Sequence, residues 1–334
     1  MNDDNHMVKV VIKNMAIQDY IVCYFDFLGQ RSGLLKAVRE SPNMPNVQLE
    51  VDKISAAIQR FNTAIMGTKR MIMEEPEKLL QAIEFPKEFP EEVKQVFPEK
   101  IKNLHFDIQQ FSDSTLFFAN IEKADCVGMG IFITWCLSLA ANFIQLLSEH
   151  FMIRGGIAIG KGWKIEPDLL YGPVLEDVYM LESKIAVFPR IVITEEVLRR
   201  LEAVDRKCTE FFCEDYDGVH ILDYLSLSAI RWYETNMAVQ GANLIHSIKE
   251  ALHFIRTEYD LLKGGVSRNI DCAKEVRKLS YLIGYWQSRL DAIIKMYQSN
   301  NDVPNADGAK TWKSSYMTYE DGESKVIRTD TQVG

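Results

Sequence analysis

Two aspartates occupy positions in the sequence where acidic residues are uncommon. Asp26 lies near the end of the apolar run YIVCYFDF, and Asp113 lies between two serines in the run LHFDIQQFSDSTLFFANI. An ionised carboxylate in a buried strand is costly unless it is paired with a cation or bound to a metal. Two such carboxylates at one sheet edge, helped by the main-chain carbonyl of Phe27, would suit Mg²⁺ or Mn²⁺, which take oxygen ligands. In the structural alternative, Asp26 caps a helix that begins near Gly29, and Asp113 makes a tight turn.

Arg154 is the cation whose position most suggests a role in chemistry. It lies in the otherwise apolar run MIRGGIAIG, whose three glycines permit close backbone packing or the approach of a ligand. A buried arginine requires a carboxylate or a phosphate as partner. The sequence therefore leaves two interpretations open, a phosphate-binding arginine and an internal ion pair with Glu176 or Glu182.

Several other kinds of site are absent from the sequence. The segment FLGQRSG could bring backbone amides to a triphosphate at a helix start, but neither a Walker motif nor a GxGxxG fingerprint is present. The six cysteines lack CxxC spacing, the six histidines lack HExxH spacing, and no GxSxG nucleophile motif occurs. A net charge of −9 argues against a nucleic-acid-binding surface. The N-terminal residues do not form a signal peptide, so a cytoplasmic location is expected.

The segment from Val127 to Leu147 carries no charged residue and is nearly long enough to cross a bilayer. Four polar residues interrupt it, and strand patterns lie on both sides of it. An apolar helix of this kind is either a membrane span or a core helix. We predict a buried core helix and no stable membrane insertion.

The elements that would position these residues alternate between strand and helix patterns. We predict a mostly antiparallel sheet with packed helices, an α+β sandwich in the α/β class, in which Asp113 lies at the tip of a hairpin. The predicted strands or extended segments cover residues 20–27, 104–121 as the hairpin, 152–160, 161–172, 190–194 and 219–224. The predicted helices cover residues 47–67, 127–147 and 173–184, a helix opened by Thr194, and most of the chain from the end of the 219–224 strand to about 300.

The same patterns predict how the chain is divided. Residues 1–19 form an N-terminal extension, and residues 20–225 form the main domain, with a peripheral insertion at about 46–102. Residues 226–300 form a C-terminal helical region. Residues 301–334 are polar and weakly periodic, so they are expected to be disordered or loosely attached.

Taken in order, four segments resemble the catalytic core of class III nucleotide cyclases: YFDFLGQ, FSDST, RGGIAIG and YGPVLEDVYMLESKIAVFPRIVITEEVLRRL. The resemblance covers about residues 20–205. The FDxLG, FSDS, RGGI and PRI motifs are most similar to those of the bacterial pyrimidine cyclases of Pycsar anti-phage systems. It implies a palm-like sheet and a head-to-tail homodimer that converts UTP or CTP into cyclic UMP or cyclic CMP. It also implies two Mg²⁺ or Mn²⁺ ions per site and a cyclic product that activates a separate effector protein.

The resemblance assigns roles residue by residue. It makes Asp26, Asp113 and Arg154 catalytic, and the metal ligands Asp26, Phe27 and Asp113. The substrate-binding residues would be Phe27, Leu28, Gly29, Gln109, Arg154, Tyr179 and Lys184. Gln109 takes the place of a purine-reading lysine of adenylate cyclases, and its amide can both donate and accept hydrogen bonds to a base.

The sequence also departs from the family pattern. Adenylate and guanylate cyclases place a transition-state asparagine and arginine where this chain has Glu176 and Met180. Arg154, Lys184 and Arg190 are the candidates to supply the missing charge. The alternatives are a purine cyclase and a non-catalytic, cyclase-like module that binds nucleotide or a partner. A diguanylate-cyclase relative is disfavoured, because no GGDEF signature is present.

Overall fold

The computed structural model describes residues 16–28, 44–74, 106–111, 114–121, 126–148, 151–166, 169–204, 206–236, 241–263, 270–299, 315–320 and 323–328. The chain divides into two units, Met1–Val239 and Gln240–Gly334. The first unit combines helices with a mostly antiparallel sheet, which confirms the predicted α+β class.

The first unit contains the sheet and the helices that pack on it. Its strands are β1 (Gln18–Leu28), β2 (Phe106–Phe111), β3 (Ser114–Asn120), β4 (Met152–Glu166), β5 (Leu169–Tyr171), β6 (Ile191–Ile193), β7 (Phe212–Glu214) and β8 (His220–Leu222). Its helices are α1 (Pro45–Glu74), α2 (Cys126–Ser148), α3 (Pro173–Met180), α4 (Glu195–Val204) and α5 (Leu227–Asn236). A π-helical turn, Leu181–Ile185, extends α3, and a 3₁₀ helix, Arg206–Phe211, precedes β7.

The strands run in the spatial order β2-β3-β1-β4-β6-β8-β7, and β5 pairs with β4. All of these pairs are antiparallel except β4 with β6, which is parallel. The first part of the chain therefore follows the order β-α-β-β-α-β, in which a hairpin separates two strand–helix units. This order places β1 inside the sheet, between β3 and β4.

Side chains of β1 alternate between two packed faces, as the period of a strand requires. On one face Phe25 contacts Trp135 and Phe143 of α2, and Phe27 contacts Phe61 of α1. On the other face a second cluster of buried side chains joins the sheet to α3: Tyr20, Val22, Leu116, Phe118, Ala158, Leu170, Val174 and Val178. Helices thus cover both faces of the central strands.

Helix α2 is the apolar segment that could have been a membrane span. Within Gly128–Ser148, an 18-residue window has a mean hydropathy of 1.7, and 78% of that window is buried. Its polar side chains bond to carbonyl oxygens one turn earlier in the same helix: Thr134 to Gly130, Ser138 to Thr134, and Asn142 to Ser138. Because these bonds satisfy the buried polar groups, the helix suits a protein core, as predicted.

Within the first unit, the structure differs from the sequence prediction at four places. Residues 152–166 form one continuous strand instead of two segments, and β7 was not predicted. The predicted helix 173–184 changes to a π-helical turn at Leu181. The hydroxyl of Thr194 is buried and has no hydrogen-bond partner in the described part of the chain, so it does not cap α4. Most of the predicted insertion, residues 75–105, lies outside the described residues.

The second unit contains the helices α6 (Gly241–Lys263) and α7 (Ile270–Ser299), which pack against each other. Their buried side chains recur at helical spacing, among them Leu244, Ile248, Ile255, Leu282 and Trp286. The C-terminal helical region was predicted from this spacing. Beyond it, β9 (Ser315–Glu320) and β10 (Glu323–Arg328) form an antiparallel pair. The loosely attached tail stays a prediction.

Candidate functional site

Three polar side chains form a row across the centre of the sheet. Asp26 on β1 is paired in register with Ser114 on β3 and with Arg154 on β4. Residues in register on neighbouring strands lie on the same face, and this face is the one that α3 covers. The strand pairing therefore brings two predicted site residues, Asp26 and Arg154, side by side.

The carboxylate of Asp26 has partners on both sides. The Ser114 hydroxyl donates a hydrogen bond of 2.8 Å to Oδ1, and Nη2 of Arg154 lies 3.8 Å from Oδ2. The Asp26 side chain is 19% exposed, so it is partly buried yet reachable from solvent. These contacts compensate part of the cost of placing an ionised acid in a strand.

A second carboxylate, that of Glu182, lies against the same arginine. Its Oε1 contacts Nε of Arg154, and its side chain is only 3% exposed. Burial raises the pKa of Glu182, and the opposing effect of Arg154 does not cancel this rise. Arg154 consequently lies between two acids. Of the two ion-pair partners that the sequence suggested, Glu182 is the one found, whereas Glu176 is exposed on α3.

Gly156 explains why Glu182 can reach the sheet. A Cβ atom at this position would lie 2.7 Å from the Cβ of Leu181 and 2.8 Å from the carbonyl oxygen of Val178. Only glycine allows the end of α3 to lie this close to β4. The π-helical turn then follows directly, and π-helical turns often occur at functional sites. The glycine and the turn together place a buried acid over the row.

Two tyrosines border the row. Tyr24 lies two residues before Asp26 and hence on the same face. Its ring centroid is 6.2 Å from that of Tyr179, and the two ring planes form an angle of 72°. Burial raises the pKa of Tyr24, and a hydrogen bond to Ser114 opposes the rise. Tyr179 is 54% exposed. An exposed ring at this place can contact a ligand, and the substrate-binding role that the resemblance assigned to Tyr179 stays a prediction.

Gln109 lies on the same face, in the next row of the sheet. It is in register with Leu116 on β3, which is in register with Tyr24 on β1. From the spacing between strands and the rise per residue, the Cα atom of Gln109 is roughly 12 Å from that of Asp26. Gln109 is 8% exposed, and its buried Oε1 has no hydrogen-bond partner among the described residues. An unpaired buried amide oxygen is costly, and a ligand that donates a hydrogen bond would remove that cost.

The other predicted site residues are less directly related to the row that contains Asp26. The Phe27 side chain packs on the opposite face against Phe61 and Phe151, so only its main chain could share a site with Asp26. Leu28 ends β1, and Lys184 is exposed in the π-helical turn. Asp113 and Gly29 lie outside the described residues, so the predicted pairing of two aspartates stays a prediction.

Arg190 has a structural role. Its side chain is 2% exposed and forms ion pairs with Asp215 at 2.5 Å and with Asp217 at 2.6 Å. It also donates a hydrogen bond to the carbonyl oxygen of Ile185. Since its side chain is buried and held by these partners, a ligand cannot reach it, and Arg190 is a poor candidate for the missing transition-state cation. Arg154 and Lys184 remain.

The residues around Asp26 offer oxygen ligands of the kind that Mg²⁺ and Mn²⁺ prefer, the Asp26 carboxylate and the Ser114 hydroxyl. Within the described residues, no group of three His, Cys, Asp or Glu side chains could hold a metal ion. Asp113, the second predicted ligand, is not among them.

Sequence reasoning assigned no role to Tyr24 or Ser114, and it named Glu182 only as a structural partner. Period-two spacing could have placed Tyr24 beside Asp26, and Ser114 follows Asp113 directly in the sequence. No signal in the sequence marks Glu182 as buried. A comparison of the chain with protein-family models and with curated proteins finds no match.

Proposed function

We propose that this protein is a nucleotide cyclase that converts a pyrimidine nucleoside triphosphate, UTP or CTP, into its 3′,5′-cyclic monophosphate and pyrophosphate. The observation that carries the proposal is the row of Ser114, Asp26 and Arg154. It sets a carboxylate and a guanidinium side by side on a sheet face, and both remain partly exposed. Three of the four segments that resemble class III cyclases contribute to this row, with Asp26, Ser114 and Arg154.

The fold is compatible with the proposal. Class III cyclases are expected to have a palm-like sheet, and the strand order β2-β3-β1-β4 within a β-α-β-β-α-β chain is compatible with such a sheet. A fold alone does not define an activity, because unrelated functions share common folds. The proposal therefore depends on the site more than on the sheet.

Asp26, Asp113 and the main-chain carbonyl of Phe27 would hold the Mg²⁺ or Mn²⁺ ions. When bound, such ions would activate the ribose 3′ hydroxyl and neutralise the leaving pyrophosphate. When both acids are ionised, Asp26 and Glu182 outweigh the charge of Arg154, and this net negative charge favours cations. The Ser114 hydroxyl holds the Asp26 carboxylate in place through Oδ1.

The other residues of the site would bind and orient the nucleotide. Arg154 would face the phosphates, since guanidinium groups match phosphate geometry. Gln109, roughly 12 Å away, would lie near the base edge. The exposed ring of Tyr179 lies beside the acids and offers a surface for stacking. In this arrangement the ribose 3′ hydroxyl would release its proton to water while its oxygen attacks the α-phosphorus and the bond to pyrophosphate breaks. Positioning would provide much of the rate.

The proposal includes the partners that the resemblance implies. These are a cytoplasmic homodimer and an effector protein that responds to the cyclic product in anti-phage defence. The homodimer receives some support from four exposed apolar side chains near the site, Tyr179, Met180, Ile185 and Val187. Aromatic and methionine side chains are enriched in protein interfaces.

One observation favours a second candidate, a non-catalytic module that binds nucleotide or a partner. Arg154 contacts Glu182 and lies near Asp26, as an arginine in a structural ion pair does. A purine cyclase is the alternative within the enzyme class.

The test is to incubate the purified full-length protein with each of the four nucleoside triphosphates and Mn²⁺, and to identify the products by mass spectrometry. Cyclic UMP or cyclic CMP with equimolar pyrophosphate is expected. Cyclic AMP or cyclic GMP alone would replace the pyrimidine assignment. Nucleotide binding without any cyclic product would favour the non-catalytic module.

A further inference from the structure

We propose that Glu182 is a positioning residue: it holds the guanidinium of Arg154 so that the terminal nitrogens point towards the phosphate site beside Asp26. This inference rests on the proposed function for its kinetic readout. Its physical content, an anion site oriented by a buried acid, can be tested without turnover.

Different nitrogens of the Arg154 guanidinium contact the two acids. Nε of Arg154 contacts Glu182, whereas Nη2 lies 3.8 Å from Asp26. Nε and the Glu182 oxygen form a close ion pair without the alignment of a hydrogen bond. This contact occupies the Nε side of the guanidinium and leaves the far edge available. The Arg154 side chain is 22% exposed, so a ligand can reach that edge.

The surrounding structure is built to put an acid at this position. Glu182 is buried in the π-helical turn, and the turn lies against β4 only because Gly156 has no side chain. Burying a carboxylate is costly, and the ion pair with Arg154 offsets that cost. An arginine side chain has several rotatable bonds, so a ligand that had to order it would bind less well. Glu182 orders the arginine in advance.

Two other roles for Glu182 predict different behaviour. In a purely structural role, the pair would hold α3 on the sheet, and its loss would lower stability without a specific effect on Arg154. In an inhibitory role, Glu182 would compete with phosphate for the guanidinium, and its removal would increase activity.

The experiment is a double-mutant cycle on the full-length protein with Glu182→Ala, Arg154→Lys and the double variant. Glu182→Gln keeps the oxygen that contacts Nε and removes its charge. Glu196→Gln, the matched control, removes an acid on α4 that pairs with Arg199 and Arg200 at the surface. The measurements are kcat and KM for the cyclised nucleotide, the affinity for inorganic pyrophosphate by calorimetry, and thermal unfolding. Arg154→Lys retains a positive charge opposite Glu182, so we expect this variant at position 154 to fold.

A positioning role predicts that Glu182→Ala lowers kcat about tenfold or more, the effect of a misplaced catalytic group. Glu182→Gln should restore most of kcat, and Glu196→Gln should match the wild type. The double variant should be no slower than Arg154→Lys, because the two residues act through one group. Additive losses, or a kcat that is unchanged or raised in Glu182→Ala, would overturn the proposal.

The pyrophosphate measurement separates this inference from the proposed function. If the wild type cyclises no nucleotide, the proposed function fails, and weaker pyrophosphate binding by Glu182→Ala, restored in Glu182→Gln, would still support positioning. Equal or tighter pyrophosphate binding by Glu182→Ala would reject it.

Discussion

Gly156 of β4 lies directly against Leu181, at the junction where α3 becomes a π-helical turn. A Cβ at residue 156 would come within 2.7 Å of the Leu181 Cβ and within 2.8 Å of a main-chain oxygen. Neither neighbour is the flexible end of a side chain, so neither can move aside cheaply. The position of Glu182 over Arg154 thus depends on a missing side chain in the strand below.

The first prediction concerns this contact. Gly156→Ala should destabilise the protein by about 1–3 kcal/mol, because it overpacks the interface between α3 and the sheet. Urea unfolding measures the change. Gly67→Ala is the control: residue 67 lies in α1 with open space around its Cβ position, and alanine should stabilise that helix by up to about 1 kcal/mol. Equal stabilities for the two variants would contradict the packing argument.

The second prediction concerns the two aspartates. Asp26→Asn and Asp113→Asn should each lower cyclic-nucleotide formation roughly 100-fold or more, the scale seen when one charge-stabilising group is lost. Asp107→Asn is the matched control, because Asp107 on β2 lies on the same face of the sheet as Asp26 and pairs with Lys164. Initial rates with UTP and CTP measure the effect. A control variant as slow as Asp26→Asn would show that charge on this face, rather than a specific site, matters.

The third prediction concerns the hydrogen bond between Ser114 and Asp26. Ser114→Ala removes a buried donor to a carboxylate and should cost about 1.5–3 kcal/mol of unfolding free energy. Ser148→Ala removes a hydroxyl that donates to a main-chain oxygen at an exposed helix end, so its cost should be smaller. Denaturant titration compares the two variants. If the two substitutions lower the unfolding free energy equally, the hydrogen bond to Asp26 is no stronger than the one at the helix end.

The fourth prediction concerns Arg190. Arg190→Met leaves Asp215 and Asp217 without their buried partner and should destabilise the protein by about 3–5 kcal/mol. Arg199→Met breaks an exposed pair with Glu196 and should cost less than about 1 kcal/mol. Thermal unfolding distinguishes them. A mild effect at Arg190 would mean that its two ion pairs are not required for folding.

The fifth prediction concerns stability at acid pH. Burial tends to raise the pKa of Asp217, but the hydrogen bonds and charge of Arg190, together with main-chain hydrogen bonds at Val219 and Asp217, outweigh burial, so the pKa is lowered in the folded protein. The stabilisation from this carboxylate is therefore complete above its unfolded pKa of about 3.9 and disappears as the pH falls through the lower, folded pKa. Asp217→Asn should be less stable at neutral pH and lose less stability on acidification.

Unfolding free energies at pH 7 and at about pH 3 would test the fifth prediction. Glu202→Gln, which removes an exposed acid on α4, is the control and should resemble the wild type. An Asp217→Asn variant with the same pH dependence as the wild type would contradict the assignment.

The sequence predicted the elements whose signal is local. The continuous apolar run of β1, the paired runs of β2 and β3, and the helix that begins at Pro173 all agree with the structure. It also predicted that Arg154 would meet either a phosphate or a nearby acid. The row on the sheet could be only partly anticipated, because strand register decides which side chains become neighbours.

The features that were missed depend on contacts between distant residues. The π-helical turn needs Gly156 beneath it, and the burial of Glu182 follows from that contact. Nothing in the helical sequence around Glu182 distinguishes it from an exposed acid. The short strand β7 has only three residues and is defined by its partner β8, so its own sequence carries little signal.

The neighbouring positions of Asp26 and Phe27 also bear on how the chain selects its native pairing. If β1 slipped by one residue against β3 and β4, the aspartate would turn towards the aromatic core and the phenylalanine towards the polar face. Both changes are unfavourable, so the slipped form is penalised twice. The acid that would serve chemistry in the folded protein thereby also protects the chain from misfolding.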